Sequence, residues 1–218
     1  MTEFKKLLVF DTETTGIPGK GKKWESDYED FPRVVQLAWV YNGKEYSYII
    51  KPEGWSIPPE TTAVHGITQE QAERDGVLFE EVADRFFDDC KSAKAIVAHN
   101  IYFDTSIIKA MVLHCIGREY YDANVEDALT KEKRIDTMRK TIKFVGAKYP
   151  DGRVGKFPRL EELYDKLFPG ESFPAHDALE DVRAVVRCLP PLAEQGIIEL
   201  PEEDQNERVT QLLNDNDF

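Results

Sequence analysis

The stretch LLVFDTETTG, residues 7–16, joins an apolar segment directly to two acids. Residues 7–10 are all apolar, which predicts a buried strand, and Gly16 marks where the chain turns away. Asp11 and Glu13 are separated by one residue, so in a strand both side chains point to the same face, roughly 7 Å apart. Two neighbouring carboxylates repel each other, and no basic residue stands between them. A fold built around this strand has to supply something that compensates the pair.

The composition is that of a soluble globular protein. Of 218 residues, 41% are hydrophobic and 32% are charged, which suits one domain with a sizeable core. No run of about 18 apolar residues occurs, so we expect no membrane span and no membrane partner. The cysteines, Cys90, Cys115 and Cys188, are odd in number and widely spaced, and no CxxC pair occurs. They are predicted to be reduced thiols, and the protein to be cytoplasmic.

The net charge of −13 argues at first against a nucleic-acid partner, but the charge is unevenly distributed. Residues 201–218 hold six acids and one base, and we interpret them as an acidic tail that follows a domain of residues 1–200. Residues 139–159 hold seven bases and one acid. This basic segment is either a solvated face or a surface that contacts phosphates.

Strand signals are concentrated in the first fifty residues. We predict strands over 5–11, 34–41 and 45–52, the last two joined by a tight turn at Asn42-Gly43. Further along, the pattern predicts two short strands and five helices, namely strands at 95–99 and 134–137 and helices at 79–91, 102–116, 137–145, 159–168 and 178–189. Three strands followed by alternating helices and strands predict an α/β fold with a mixed sheet flanked by helices.

A third acid follows the short strand AIVAH, in the segment NIYFDTSIIKAMVLHC. Asn100 is a candidate N-cap for the helix, and Asp104 lies one turn in, on the same face as Ile108 and Met111. A carboxylate on an apolar stripe is costly unless something compensates it. A buried salt bridge would suffice, but a cation shared with Asp11 and Glu13 is the more economical interpretation.

A fourth acid and a histidine occur together in PAHDALEDVRAVVRCL. Asp177 and Glu180 have the spacing of a capping box, so Asp177 is predicted to cap a helix and Asp181 to lie in its first turn. His176 then lies on the preceding loop. Alone it would be an ordinary loop residue, but beside the acids it is a candidate general base, because an imidazole suits proton removal near neutral pH.

The segments DTETTG, HNIYFD and HDALED resemble the three motifs of the DEDDh, or DnaQ-like, 3′–5′ exonucleases. They occur in the family order and extend over residues 5–190. A histidine lies five residues before Asp181 and no tyrosine lies four before it, which separates the chain from the tyrosine branch of this superfamily. The resemblance implies a ribonuclease-H-like α/β fold, in which helices flank a mixed central sheet.

The resemblance also implies a chemistry. Asp11, Glu13, Asp104 and Asp181 would bind two divalent ions, and an all-carboxylate set suits Mg²⁺ or Mn²⁺. His176 would take the proton of the attacking water. The implied activity is the release of nucleoside monophosphates from the 3′ end of DNA, with a polymerase or a repair complex as a partner. The alternatives are a 3′–5′ exoribonuclease of the same family and a non-catalytic binding subunit of a replication or repair complex.

Further substrate residues follow from the same resemblance. Thr14, Thr15, Gly16 and Ile17 would approach the terminal sugar and base, with Ile17 as an apolar wedge. His65, in AVHGIT, would touch the terminal base, and Asn100 would reach the 3′-hydroxyl as well as cap its helix. Phe103 would stack on a base or fill the core. The other two histidines, His99 and His114, are assigned to structure, and residues 139–159 are interpreted as a phosphate-contacting surface.

Overall fold

The computed structural model describes residues 4–201. Within this range the chain forms five strands, β1 (Leu7–Thr14), β2 (Val34–Tyr41), β3 (Lys44–Ile49), β4 (Ala95–Ala98) and β5 (Arg134–Asp136). The helices of the same range are α1 (Trp24–Asp27), α2 (Pro59–His65), α3 (Gln69–Asp75), α4 (Phe79–Ser92), α5 (Ile101–Cys115), α6 (Arg118–Ala128), α7 (Thr137–Lys140), α8 (Ile142–Val145), α9 (Leu160–Leu167) and α10 (Ala178–Glu194). The predicted acidic tail, apart from Pro201, lies outside the described residues.

The five strands form one mixed sheet in the order β3-β2-β1-β4-β5. The first three strands are antiparallel, whereas β4 is parallel to both β1 and β5. Asn42 and Gly43 both have positive φ, 48° and 70°, as a two-residue hairpin turn between β2 and β3 requires. The predicted α/β fold with a mixed, helix-flanked sheet is confirmed.

Each face of the sheet carries its own hydrophobic layer, because successive side chains of β1 point to opposite faces. Leu8 and Phe10 pack with residues of α4, α5 and α6. Leu7 and Val9 pack on the other face, with residues of α9 and α10. The alternation continues past the apolar run, so that Asp11 and Glu13 follow Leu7 and Val9 on the face covered by α10.

Strand β1 extends beyond the end of its neighbour β4. It pairs with β4 only as far as Val9, but with β2 as far as Thr14. The register with β2 shifts between Glu13 and Thr14, and such bulges are frequent next to active sites. Residues 11–13 therefore have no neighbouring strand on the β4 side, and this gap is where other elements approach the two acids.

Several elements differ from the pattern-based prediction. Strand β1 continues to Thr14 instead of ending at residue 11, because pairing with β2 supports it. Helix α6 has no counterpart in the prediction, since its sequence is mostly polar and its buried face is limited to Tyr121, Val125 and Ala128. The helix predicted over 137–145 is divided into α7 and α8.

The last helix is also longer than predicted. The pattern ends it at residue 189, before two prolines, but α10 includes Pro190 and Pro191 and ends at Glu194. Leu192 is fully buried in the core, and burying it favours continuation of the helix despite the two missing N–H donors. Within residues 4–201, none of the helices has the length and apolarity that a membrane crossing requires.

Candidate active site

Three elements and one loop converge at the open end of β1. Strand β1 contributes Asp11 and Glu13, α5 contributes Asp104, and α10 contributes Asp181. One ligand atom each of Glu13, His176 and Asp181 lies within 4.8 Å of the other two. Asp11 is close enough to Asp104, Asp181 and Glu13 for their charges to raise its pKa. The five residues named from the motifs therefore lie together.

Asp104 enters the site from α5, and Thr12 of β1 hydrogen-bonds to its carboxylate. The Thr12 hydroxyl donates a hydrogen bond of 2.8 Å to Asp104 Oδ1, and the backbone N–H of Thr12 donates to the same carboxylate. This N–H is available because β1 has no partner strand here on the β4 side. Asp104 is only 2% exposed, so these bonds offset part of the cost of burying it.

The N-terminus of α10 holds the other half of the site. Asp177 is the N-cap, and its side chain accepts hydrogen bonds from the N–H groups of Leu179 at 3.0 Å and Glu180 at 3.2 Å. The predicted cap is therefore present. His176, just before it, has a φ of 69°, and its backbone N–H donates to the Asp181 carboxylate. The imidazole of His176 is exposed, but the chain that carries it is held by the Asp177 cap and by the backbone hydrogen bond to Asp181.

Gln36 connects this helix terminus to the sheet. It pairs with Glu13 across β1 and β2, and its side chain is buried. Its Oε1 accepts from the N–H of Ala178 at 3.1 Å, and its Nε2 donates to Asp177 at 3.3 Å and to Ser47 at 3.1 Å. Gln36 therefore fixes the start of α10 beside Glu13.

The four carboxylates destabilise one another's charged forms. Burial is the largest cause of each shift, and it raises the pKa of Glu13 to about 8 and the pKa values of Asp104 and Asp181 to about 7. The pKa of Asp11 is raised well above its ordinary value by burial and by its acidic neighbours. The charged groups that contribute most to these shifts are other acids.

This donor set fits divalent cations. Asp181 Oδ1 is buried and has no hydrogen-bond partner within residues 4–201, which is costly unless a cation binds it. Oxygen-only ligands favour hard ions such as Mg²⁺ or Mn²⁺. His176 could add a nitrogen ligand, since it belongs to the cluster with Glu13 and Asp181. A divalent-metal site at these residues is therefore consistent with the structure.

The loop after β1 contains the first group of substrate candidates. The Thr14 hydroxyl donates to the carbonyl of Gly16 at 2.7 Å, and the Thr15 hydroxyl accepts from the N–H of Arg33 at 2.8 Å. Both hydroxyls therefore hydrogen-bond to backbone groups and fix the conformation of this loop. Ile17 is 83% exposed, which suits an apolar side chain that contacts a ligand.

Asn100, Phe103 and His65 have different environments. Asn100 occupies the N-cap position with a φ of 78°, but its side chain does not cap α5 and makes no hydrogen bond to the rest of the described chain. Phe103 is partly buried against the core. His65 is buried, and its Nδ1 accepts from the N–H of Ile67 at 3.1 Å, while Nε2 has no partner within residues 4–201. Burial lowers the pKa of His65, so the ring is neutral near pH 7.

The two remaining histidines make structural contacts. His99 bonds to the Thr137 hydroxyl at 3.0 Å and to the carbonyl of Pro158 at 2.9 Å, which joins the end of β4 to the basic segment. His114 Nδ1 lies 2.7 Å from Glu29 and 3.1 Å from Arg33.

Motif-based reasoning missed four residues that support the site. Thr12 and Gln36 bond to its acids or its helix cap, as described above. Asp136 accepts hydrogen bonds from the N–H groups of Asn100 and Arg139, and its charge raises the pKa of Asp104. Glu161, in the first turn of α9, raises the pKa of Asp181. Gln36 was the most accessible from sequence, because it is a polar residue in the apolar run VVQLAWV.

Comparison with known proteins identifies the family. The profile of the exonuclease family RNase_T matches residues 8–189. The chain belongs to this exonuclease family, and the resemblance drawn from the three motifs is confirmed. Among curated protein sequences, none matches the chain significantly.

Solved structures with a similar fold include three exonucleases. Exonuclease I of E. coli in complex with a dA16 oligonucleotide is 20% identical with a TM-score of 0.64, and the match covers 87% of this chain and 41% of that one. Exonuclease X in complex with 5′ overhanging duplex DNA is 20% identical with a TM-score of 0.55, and the match covers 88% and 94%. A moderately thermophilic exonuclease I from Methylocaldum szegediense is 21% identical with a TM-score of 0.60, at 85% and 40% coverage. The chain spans less than half the length of the exonuclease I chains.

The carboxylate cluster predicts that the metal-free protein loses stability as the pH rises from about 4 to about 8. The raised pKa values mean that the folded state binds protons that the unfolded state, with carboxyl pKa values near 4, has already released. The free energy of unfolding therefore falls through this window. Calorimetry in EDTA should show Tm decreasing with pH, and saturating Mg²⁺ should reduce the slope. If the Tm in EDTA rises over the same pH window, the inference that the four carboxylates repel one another in the folded protein is wrong.

A second prediction concerns Gln36. Gln36→Ala leaves the N–H of Ala178 without its acceptor, so we expect a loss of about 1–3 kcal/mol in the free energy of unfolding. Because the start of α10 loosens, Mn²⁺ affinity should also fall, by up to about tenfold. The control is Ser47→Ala, which removes another partner of Gln36 without touching α10. Urea unfolding and titration calorimetry measure both effects, and equal Mn²⁺ affinities in the two variants would exclude a positioning role.

Proposed function

We propose that this chain is a divalent-metal-dependent 3′–5′ exonuclease that releases nucleoside monophosphates from the 3′ end of DNA. The observation that carries the proposal is the meeting of Asp11, Glu13, Asp104 and Asp181 with His176 at one end of β1. Membership of the exonuclease family supports the same reaction class.

The four carboxylates would hold two Mg²⁺ or Mn²⁺ ions. The support is chemical: all four donors are oxygens, their pKa values are raised, and Asp181 Oδ1 is buried without a partner within residues 4–201. When bound, a pair of such ions activates water and stabilises the leaving 3′-oxygen of an in-line displacement.

His176 is the proposed general base. It is exposed and lies beside Glu13 and Asp181, so its ring can reach a water molecule at the site and exchange protons with solvent. The backbone bond from His176 to Asp181 and the Asp177 cap limit how far the loop can move.

The residues after β1 would receive the terminal nucleotide. Ile17 is exposed and can pack against a base, while Thr14, Thr15 and Gly16 hold the loop in shape and bring backbone groups near the sugar. Asn100 has a side-chain amide that is unused within residues 4–201, and it lies in the short connection between β4 and α5, four residues before Asp104, which suits a contact with the 3′-hydroxyl. His65 and Phe103 remain proposed base contacts.

DNA is the proposed substrate in preference to RNA. Two of the similar structures, exonuclease I and exonuclease X, are complexes with DNA, which supports this choice. We also propose a cytoplasmic location, in line with three free cysteines in the described chain, and a polymerase or repair complex as the class of partner.

The direct test is degradation of end-labelled single- and double-stranded DNA and RNA with Mg²⁺, Mn²⁺ or EDTA. Asp11→Asn and Asp181→Asn should reduce hydrolysis to background and raise the Tm of the metal-free protein, because each removes a ligand and a repelling charge. Asp122→Asn, which changes an exposed acid of α6, is the matched control and should keep full activity.

Polarity is tested with the same assay. Blocking the 3′ end with a phosphate should stop degradation, whereas a 5′ block should not. Full activity in EDTA, or rapid cutting of circular single strands, would contradict a metal-dependent exonuclease.

A further prediction tests whether His176 acts as a general base or as a metal ligand. If His176 is the base, His176→Ala should lower kcat by about 10²–10⁴-fold while Mn²⁺ affinity stays near wild type. Asp181→Asn, as the ligand control, should lose Mn²⁺ affinity. Lost Mn²⁺ binding in His176→Ala would make the histidine a ligand instead.

A further inference from the structure

A small hairpin interrupts the basic segment between α8 and α9. Lys148 and Val154 form an antiparallel bridge, and the N–H of Tyr149 donates to the carbonyl of Arg153 at 2.9 Å. The N–H of Gly152 donates to the carbonyl of Tyr149 at 2.8 Å and closes the turn Tyr-Pro-Asp-Gly. The hairpin is therefore an ordered projection of the surface.

Two aromatic rings on this segment remain open to solvent. Tyr149 is 37% exposed and Phe157 is 43% exposed. The guanidinium of Arg153 lies 5.0 Å from the centre of the Tyr149 ring, and that of Arg139 lies 5.3 Å from the centre of the Phe157 ring. Each ring therefore presents an apolar surface next to a delocalised positive charge. We call these four residues the aromatic–arginine patch.

The charge around the patch is partly compensated, since both of its arginines and Lys156 pair with carboxylates. Lys156 is paired with Glu162 at 2.8 Å, and Arg153 is paired with Asp151 at 2.7 Å. By contrast, Lys140, Lys143 and Lys148 form no ion pair with any residue of the described chain. These three lysines give the surface a net positive charge within an otherwise acidic protein.

The patch is connected, through Pro158 and Asp136, to residues that adjoin the active site. The carbonyl of Pro158, next to Phe157, bonds to His99 at the end of β4. Arg139 lies 3.4 Å from Asp136, whose other oxygen accepts from the N–H of Asn100, four residues before Asp104. The patch therefore lies on the β4–β5 side of the acids.

The loop proposed to receive the 3′-terminal nucleotide lies on the other side. Thr15 is joined to Arg33, just before β2, by backbone and side-chain hydrogen bonds. In the sheet order, β2 and β5 flank β1 and β4 on opposite sides. For a strand whose terminal base packs against this loop, the patch lies on the opposite side of the acids, where the upstream nucleotides can extend.

We propose that the aromatic–arginine patch binds the single-stranded nucleic acid upstream of the scissile bond by stacking on its bases. This inference rests on the proposed exonuclease function and extends it, because stacking adds a base-directed contact to a surface assigned so far only to phosphates. Every base has an aromatic face, so the patch tolerates any sequence, but it requires bases that are not already stacked in a duplex. Lys140, Lys143 and Lys148 hold the backbone of the same strand.

The test compares wild type with the double variant Tyr149→Ala/Phe157→Ala. On a single strand of about 12 nucleotides, the double variant should lose about tenfold or more in kcat/KM. On a dinucleotide, which cannot reach the patch, the two proteins should be equal. Replacing upstream nucleotides by abasic ones should cost wild type a similar factor and should leave the double variant unchanged, because the stacking is already absent.

Three further variants control the interpretation. Tyr149→Phe/Phe157→Tyr keeps both rings and should restore wild-type values. Tyr46→Ala removes a partly buried ring of β3, at the opposite edge of the sheet, that stacks on Trp39 and lies beside Arg85 of α4. This variant should stay folded and keep wild-type kcat/KM on both substrates. Exchange of Lys140, Lys143 and Lys148 for glutamine should flatten the salt dependence of KM but keep the sensitivity to abasic nucleotides.

Binding of the same labelled strands in EDTA, followed by fluorescence anisotropy, separates the two proposals. If wild type degrades DNA from its 3′ end and the double variant does so equally well on the strand of about 12 nucleotides, the patch proposal is wrong and the exonuclease proposal stands. An abasic effect that persists in the double variant would overturn the patch as well. If wild type degrades none of the substrates but binds single strands more tightly than the double variant does, the exonuclease proposal is wrong and the patch proposal stands.

Discussion

Four acidic side chains lie at the open end of β1, and the charged groups that most raise their pKa values are other acids. Their mutual repulsion opposes folding of the metal-free chain, so the surrounding structure has to hold them together. It does so with polar contacts to their neighbours. Thr12 donates twice to Asp104, His176 donates a backbone N–H to Asp181, and Gln36 fixes the helix that carries Asp181.

The sheet topology makes this arrangement available. Because β4 ends early, the N–H of Thr12 is free to bond to Asp104 instead of a neighbouring strand. Because β2 continues alongside β1 to its end, Gln36 lies beside Glu13 and can reach the start of α10. The different lengths of the two neighbouring strands thus create both the gap and its supports.

The sequence predicted the elements that have a strong local signal. The apolar run before Asp11, the Asn-Gly turn and the Asp177 cap all depend on near neighbours in the chain, and each occurs in the structure. The four acids and His176 were recognised as one set through their motifs, because no local rule relates Asp11 to an acid on a helix more than ninety residues later.

What the sequence did not predict depends on contacts between distant segments. The continuation of β1 to Thr14 requires β2, and the continuation of α10 through its prolines is favoured by a buried Leu192. Gln36 stands out in the sequence as a polar residue in an apolar run, but its role cannot be read there, because its partners lie on α10, which packs against it only in the fold. Asn100 shows the converse, because a good capping residue type occupies the cap position without using its side chain.

The acids and the histidine are held in different ways, and the difference suits their proposed roles. The acids belong to β1, α5 and α10, where regular hydrogen bonding fixes the backbone, as ligands of a small ion with strict geometry require. His176 lies on a loop in a left-handed conformation and is exposed. A group that takes a proton in each turnover has to return it to solvent, and a buried ring could not do so without a relay. The Asp177 cap limits the same loop at its helix end, so the imidazole keeps its position beside Asp181 while its ring remains in contact with water.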